Sequence, residues 1–327
     1  MHALILSGGG ARGAFEAGVA TALYEQEHFD LICGTSIGAL NGAALAQDQP
    51  ELLRDTWREI AARNVLRLDP RLESWRRFFS DLRKVRLAHA ASCIGKLRIP
   101  APSSITGLLD WAPIRGIIEP RYFFERLKHP FMVGTTDLTH GIGSAFYAFP
   151  GDPERAASFA AAEPNAYPMT ADNFIDTICA SAAVPGAFPP VTIDIPARGP
   201  TAFVDGCIAN NTPIRQAIDA GATRLTMIFM QHSALRTRDA RVRHIGDVVA
   251  TCQDISDERM LDLDLKLART INSAVLRGHA PDKRFVDIRV IGPSVPLRLA
   301  SLAFADQAAI DRVFMLGVEE GRNAASD

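Results

Sequence analysis

Three separated segments hold the residue types that serine chemistry needs. Gly34-Thr35-Ser36-Ile37-Gly38 follows an apolar run, Phe29 to Cys33, and precedes small residues from Ala39 to Ala46. On a sharp strand-to-helix turn, a serine between such glycines is forced into a strained backbone with its hydroxyl exposed. The residues two before and two after it are pressed together, so only very small side chains fit there. The following helix turns its positive end toward Ser36 and favours developing negative charge. The same pattern also fits a plain glycine turn with Ser36 as a helix N-cap.

Ser7-Gly8-Gly9-Gly10-Ala11-Arg12-Gly13 lies after the apolar run Ala3 to Leu6. Gly8-x-Gly10-x-x-Gly13 is formally a dinucleotide fingerprint, which expects an acidic residue closing a second strand about 20 positions on. Asp30 stands near that distance but precedes Leu31-Ile32-Cys33. A P-loop requires Gly-Lys-Ser/Thr, which is missing. A third reading is an oxyanion hole, in which consecutive backbone N–H groups of Gly8, Gly9, Gly10 and Ala11 stand unobstructed at a helix N-terminus. A simple tight turn is the fourth.

A serine nucleophile needs a base. None of the eight histidines stands at a clean strand-to-loop junction after an aspartate, although His140 sits in a polar turn. Asp205 ends the run Thr201-Ala202-Phe203-Val204 and is followed by Gly206. Its carboxylate should emerge at the sheet edge that holds Ser36. Holding the turn from Gly206 to Asn211 is an equally ordinary task for it.

Together these segments resemble the patatin-like phospholipase family. Gly8 to Gly13 is similar to its oxyanion loop, Gly34 to Gly38 to its nucleophile elbow, and Asp205-Gly206-Cys207 to its Asp-Gly-Gly/Ala signature. The block from Ala180 to Pro190, Asn210-Asn211-Thr212-Pro213 and Thr136-Asp137-Leu138 also fit, in the same order, over about residues 3 to 230. Cys207 departs from the family's Gly or Ala. The resemblance implies a Ser36–Asp205 dyad without histidine, lipid or other acyl-ester substrates, no cofactor and no metal. It also implies a role for Arg12 near the oxyanion or a lipid phosphate, beside the plainer reading of an ion pair. An unperturbed Asp has a pKa of about 3.9, so desolvation or concerted proton transfer must help Asp205 act as a base.

The elements needed to hold these segments follow from the hydrophobic pattern. Two strand-loop-helix units within the first 50 residues predict a doubly wound α/β sheet. With the resemblance, the expectation is a three-layer α/β/α fold with a mostly parallel central sheet. Further strands are expected at Met132-Val133, Ala145 to Phe149, Leu225 to Met230 and Arg284 to Ile291, joined at 135–141 by a polar turn. A helix is expected from Asn173 to Ala183, and five prolines between Pro185 and Pro200 predict a stiff, non-helical segment. No linker divides the chain, so residues 1–327 read as one domain.

Composition narrows the setting. Hydrophobic residues make up 47% and charged residues 22%, an ordinary globular balance. No apolar run spans a bilayer and no signal-like segment opens the chain, which predicts a cytoplasmic protein with at most peripheral membrane contact. Five cysteines without C-x-x-C pairing fit neither a disulfide framework nor a zinc site. The net charge of −2 gives no general attraction to nucleic acid. Residues 54–128 nevertheless carry 16 Lys and Arg against 8 Asp and Glu. This predicts a basic helical insertion at about 51–128. Within it Leu72, Trp75, Phe78, Phe79, Leu82 and Val85 alternate with arginines, as on a helix facing anionic lipid, a lid, or a helix packed on the core.

Overall fold

The computed structural model describes residues 1–72, 106–196, 198–230 and 245–326. In chain order the elements are β1 (His2–Leu6), α1 (Gly13–Tyr24), β2 (Leu31–Thr35), α2 (Ile37–Ala46), α3 (Glu51–Ala62) and α4 (Ala112–Ile118). Then come β3 (Phe131–Asp137), β4 (Ile142–Ala148), α5 (Pro153–Ala162), β5 (Ala166–Pro168), α6 (Phe174–Ser181), β6 (Val191–Ile195) and β7 (Gly199–Asp205). The chain continues through α7 (Ile214–Asp219), β8 (Arg224–Ile228), α8 (Ile245–Leu276), β9 (Asp287–Ile291) and α9 (Gln307–Ser326).

Side-chain alternation along the strands explains the layering. Leu4, Leu6 and Ile32 face one core with residues of α1, α2, α3 and α9. Their neighbours Ala3, Ile5, Leu31 and Cys33 face the other, with Phe159 of α5, Ile214 and Ala217 of α7 and Leu261 of α8. A strand apolar on both faces must be covered on both, which gives the α/β/α sandwich. One sheet runs β5-β4-β3-β2-β1-β8-β9, and its centre, from β9 through β8, β1 and β2 to β3, is parallel throughout. The mixed α/β fold with a largely parallel sheet is therefore as expected.

One edge of β3 is shared by two strands. Ile32 to Thr35 of β2 pair in parallel with Phe131 to Gly134, and Asp205 to Phe203 of β7 pair antiparallel with Thr135 to Asp137. The two strands thus meet end to end. Residues 135–137, expected in a polar turn, belong to β3. Their side chains are buried and partnered, Thr135 with Ser144 at 2.9 Å and Thr136 with the Asp205 carbonyl at 2.9 Å. The proline-rich stretch contains the strand β6, whose alternating burial and antiparallel pairing with β7 suit a strand away from the sheet centre.

Helices α1 and α9 pack backbone to backbone. A Cβ at Gly18 would stand 2.1 Å from the Phe314 carbonyl, and one at Gly317 2.1 Å from that of Phe15. Helix α3, within the expected insertion, packs inward through Leu53, Trp57 and Ile60. The stripe from Trp75 to Val85 lies outside the described residues. The flanking arginines have acidic partners: Arg63 and Arg121 with Glu59, Arg67 with Asp110, Arg71 with Asp69, and Arg115 with Asp176. Among the described residues no helix is long and apolar enough to cross a membrane.

Candidate active site

Ser36 stands between the end of β2 and the start of α2 with φ 57° and ψ −124°, a conformation that costs a non-glycine residue about 1–3 kcal/mol. The elbow glycines enforce it. A Cβ at Gly34 would lie 2.2 Å from the Gly38 carbonyl, and one at Gly38 2.4 Å from that of Leu6. Ser36 takes the N-cap position, yet its hydroxyl makes no capping bond. Instead Oγ donates to Asp205 Oδ2 at 2.7 Å.

The partner strand ends on β3 explain how residues 169 apart in sequence meet. Thr35 pairs with Gly134 and Asp205 with Thr135, so consecutive residues of β3 bring the two strand ends together. The two carboxylate oxygens of Asp205 have different partners. Oδ1 accepts from the Cys207 N–H at 2.8 Å, fixing the turn, while Oδ2 faces Ser36. Burial pushes the Asp205 carboxyl up to about 6, against the opposing pull of the bonds from Cys207 and Ser36. Cys207 has no positive φ, so its side chain is tolerated. Gly206 is required by space, since a Cβ there would lie 2.5 Å from the Gly134 carbonyl.

The glycine loop is only partly free. The Gly8 N–H donates to Asn211 Oδ1 at 3.0 Å, and the Ala11 N–H to the Ser301 carbonyl at 2.7 Å. Of the four expected donors, Gly9 and Gly10 are the two left without such a partner among the described residues. Gly10 has φ 60°, and a Cβ there would sit 2.2 Å from the Ser301 oxygen. At Gly13 a Cβ would press on Ile37 and Trp57.

Arg12, which the resemblance places near the oxyanion or a lipid phosphate, is held in an ion pair. Its guanidinium bonds Asp254 of α8 through both terminal nitrogens, at 3.1 and 2.5 Å, and also Ser301 Oγ at 2.6 Å. Its donors are spent on tying the loop to α8 and the 301 segment, which matches the ion-pair reading. Asp30 accepts from the His2 N–H at 2.7 Å, at the end of β2 remote from the glycine loop. It is out of reach of a nucleotide there. His140 pairs with Asp137, Nδ1 to Oδ2 at 2.8 Å, and among the described residues no histidine bonds Ser36 or Asp205.

Sequence reasoning missed three supports. Ser181 accepts from the Ser36 N–H at 2.8 Å and donates to the Gly134 carbonyl at 2.6 Å, bracing the elbow from α6. Asn211, buried, braces Gly8. Asp257 of α8 is buried, bonded by Gln253 at 2.8 Å, and pushed up to about 7 by desolvation, with the Asp205 charge adding to the rise. Ser181 and Asn211 lay inside motif blocks. For Asp257 the available signal was the helical spacing of Asp254, Asp257, Leu261 and Asp264, acidic residues on a face that also carries a core leucine.

Residues 4–218 match the patatin-like phospholipase family. Over 228 residues the chain is 28% identical to the Escherichia coli K12 protein YjjU, an alignment covering 69% of this chain and 51% of that protein. The chain therefore spans about half the length of that curated relative. VipD from Legionella pneumophila, a solved structure, aligns with 99% of this chain and 66% of its own at 14% identity and a TM-score of 0.43.

Proposed function

The chain belongs to the patatin-like phospholipase family, and from that premise we propose that it hydrolyses carboxylic esters of lipid acyl chains through Ser36 and Asp205. The observation that carries this reading is the 2.7 Å bond from Ser36 Oγ to a buried carboxylate, made by a serine held at positive φ. Asp205 takes the hydroxyl proton as Oγ attacks the ester carbonyl. The N–H groups of Gly9 and Gly10 hold the oxyanion, aided by the N-terminal end of the α1 segment. Asp205 returns the proton to the departing alcohol. It then takes one from the water that attacks the acyl-enzyme, and Ser36 is regenerated.

The raised carboxyl supports this assignment, because a base near pKa 6 takes a serine proton more readily than one near 3.9 and is still ionised at neutral pH. Support against a nucleotide-binding role comes from Asp30, which is engaged with His2 far from the loop.

Intact-mass labelling with a fluorophosphonate tests the proposal. The wild type gains one adduct and Ser36→Ala gains none; equal labelling of both removes Ser36 as the nucleophile. Hydrolysis of phospholipid vesicles compared with short soluble esters then separates a lipid hydrolase from a soluble esterase or thioesterase. Vesicles of anionic and neutral phospholipid, compared by sedimentation, test peripheral membrane contact.

A further inference from the structure

One buried carboxamide joins the end of the glycine loop to the helix that begins after Ser36. Asn41 lies one turn past Ile37 on α2 and is 1% exposed. Its orientation is fixed by chemistry. The Trp57 Nε1–H can only donate, so Oδ1 faces it at 3.0 Å. The NH2 therefore turns to α1, donating to the Gly13 carbonyl at 3.1 Å and to Glu16 Oε2 at 2.8 Å. Gly13 closes the loop, and a Cβ there would lie 2.6 Å from Ile37 Cγ1 and 2.9 Å from Trp57. The loop end is thus pressed on the residue next to Ser36, and Asn41 fastens it from the following turn. Among the described residues the remaining side-chain bond between α1 and α2, from the Tyr24 hydroxyl to the Leu45 carbonyl at 3.3 Å, lies at the far end of both helices. Glu16 is fully buried, and desolvation raises its carboxyl well above the ordinary range, so the acid sits there uncharged.

We propose that Asn41 is a positioning residue for ester hydrolysis: through Gly13 and Glu16 it fixes where the Gly9 and Gly10 N–H groups stand relative to Ser36 Oγ. The inference rests on the Ser36–Asp205 reading. Apolar packing alone would hold two helices together, whereas a fully partnered buried amide selects one register between them. Ser36 and Asp205 are placed by β2, β3 and β7, so a slip of α1 along α2 leaves the dyad intact and carries the oxyanion donors out of line.

Asn41→Ala removes all three bonds, and Glu16→Leu removes one acceptor on α1 without adding a polar group. Glu16→Gln still offers Asn41 a carbonyl. Hydrolysis of p-nitrophenyl butyrate and of its thionoester is measured for each below its melting transition, per active site titrated with a fluorophosphonate. In Asn41→Ala, kcat for the oxygen ester falls by up to about a hundredfold with KM little changed, the scale of a small misplacement of reacting groups. The ratio of oxygen-ester to thionoester rates falls with it, because displaced N–H donors cost the oxygen ester most. Glu16→Leu shows both falls in smaller measure, and Glu16→Gln restores most of the loss. A purely structural Asn41 predicts instead a lower melting temperature with the wild-type kcat and ratio per active site. That result in either Asn41→Ala or Glu16→Leu overturns the proposal, and Glu16→Leu carries the test alone if Asn41→Ala does not fold. If the wild type neither hydrolyses the ester nor is labelled at Ser36, the dyad reading fails and this inference with it.

Discussion

Replacing Asp205 by asparagine should make the protein more stable while abolishing its chemistry. The carboxylate is 1% exposed, and burial raises it from 3.8 to about 6. A shift of about two units corresponds to about 3 kcal/mol between the ionised and neutral forms. The sign follows from which state ionises first. Below pH 4 the carboxyl is protonated in both folded and unfolded chains and imposes no difference. Between 4 and 6 the unfolded chain ionises while the native one stays neutral, so stability falls as pH rises. Above 6 the full penalty applies. Asparagine carries none of it, can accept from the Cys207 N–H through its carbonyl, and can place its amide toward Ser36. Urea unfolding followed by circular dichroism should therefore show Asp205→Asn exceeding the wild type by up to about 3 kcal/mol at pH 8, with the gap shrinking toward pH 5. Ester hydrolysis should fall by at least about a hundredfold, the scale of a lost general base. A variant no more stable than wild type at pH 8 would refute the desolvated carboxylate. One that kept full hydrolysis would refute the base.

Other consequences are open to direct measurement. In the wild type, kcat/KM for a soluble ester should rise with pH and level off above about 6, following ionisation of Asp205; a rate flat between pH 5 and 7.5 contradicts that assignment. Ser181→Ala removes the acceptor of the Ser36 N–H and should cost about 1–2 kcal/mol in stability and slow fluorophosphonate labelling, read by denaturation and mass spectrometry. Gly34→Ala drives a Cβ to 2.2 Å from the Gly38 carbonyl backbone and should prevent stable folding, seen as insoluble expression or a lost melting transition. Arg12→Met should lower the melting temperature yet leave the preference between anionic and zwitterionic phospholipids unchanged, since its guanidinium is committed to Asp254 and Ser301.

Much of the site was readable in the chain because its requirements are local. The elbow at Gly34-Thr35-Ser36-Ile37-Gly38 needs small residues at fixed offsets, and so does the approach of Gly206 to Gly134; both leave a mark in composition. The parallel centre of the sheet was visible for the same reason, through uninterrupted apolar runs such as Leu31-Ile32-Cys33. What escaped depended on distant partners. Thr135, Thr136 and Asp137 read as a turn because they are polar, but the groups that satisfy them lie in β4, β7 and the His140 turn. Prolines masked β6, whose ladder with β7 uses residues between them. Arg12 is adjacent to the glycines in sequence, yet its task is decided by Asp254, 242 residues away. Asp257 had only the weak mark of sharing a helix face with the core residue Leu261.

On the proposed dyad, the meeting of β2 and β7 along a single edge of β3 also sets when the site can be complete during synthesis of the chain. Ser36, its helix and the glycine loop all lie within the first 46 residues, whereas the proposed base arrives only once residue 205 has been added and antiparallel pairing to Thr135 has closed. Contacts of such wide sequence separation form late, after the loop-closure entropy has been met. A nascent or truncated chain lacking β7 thus holds Ser36 without its proposed base.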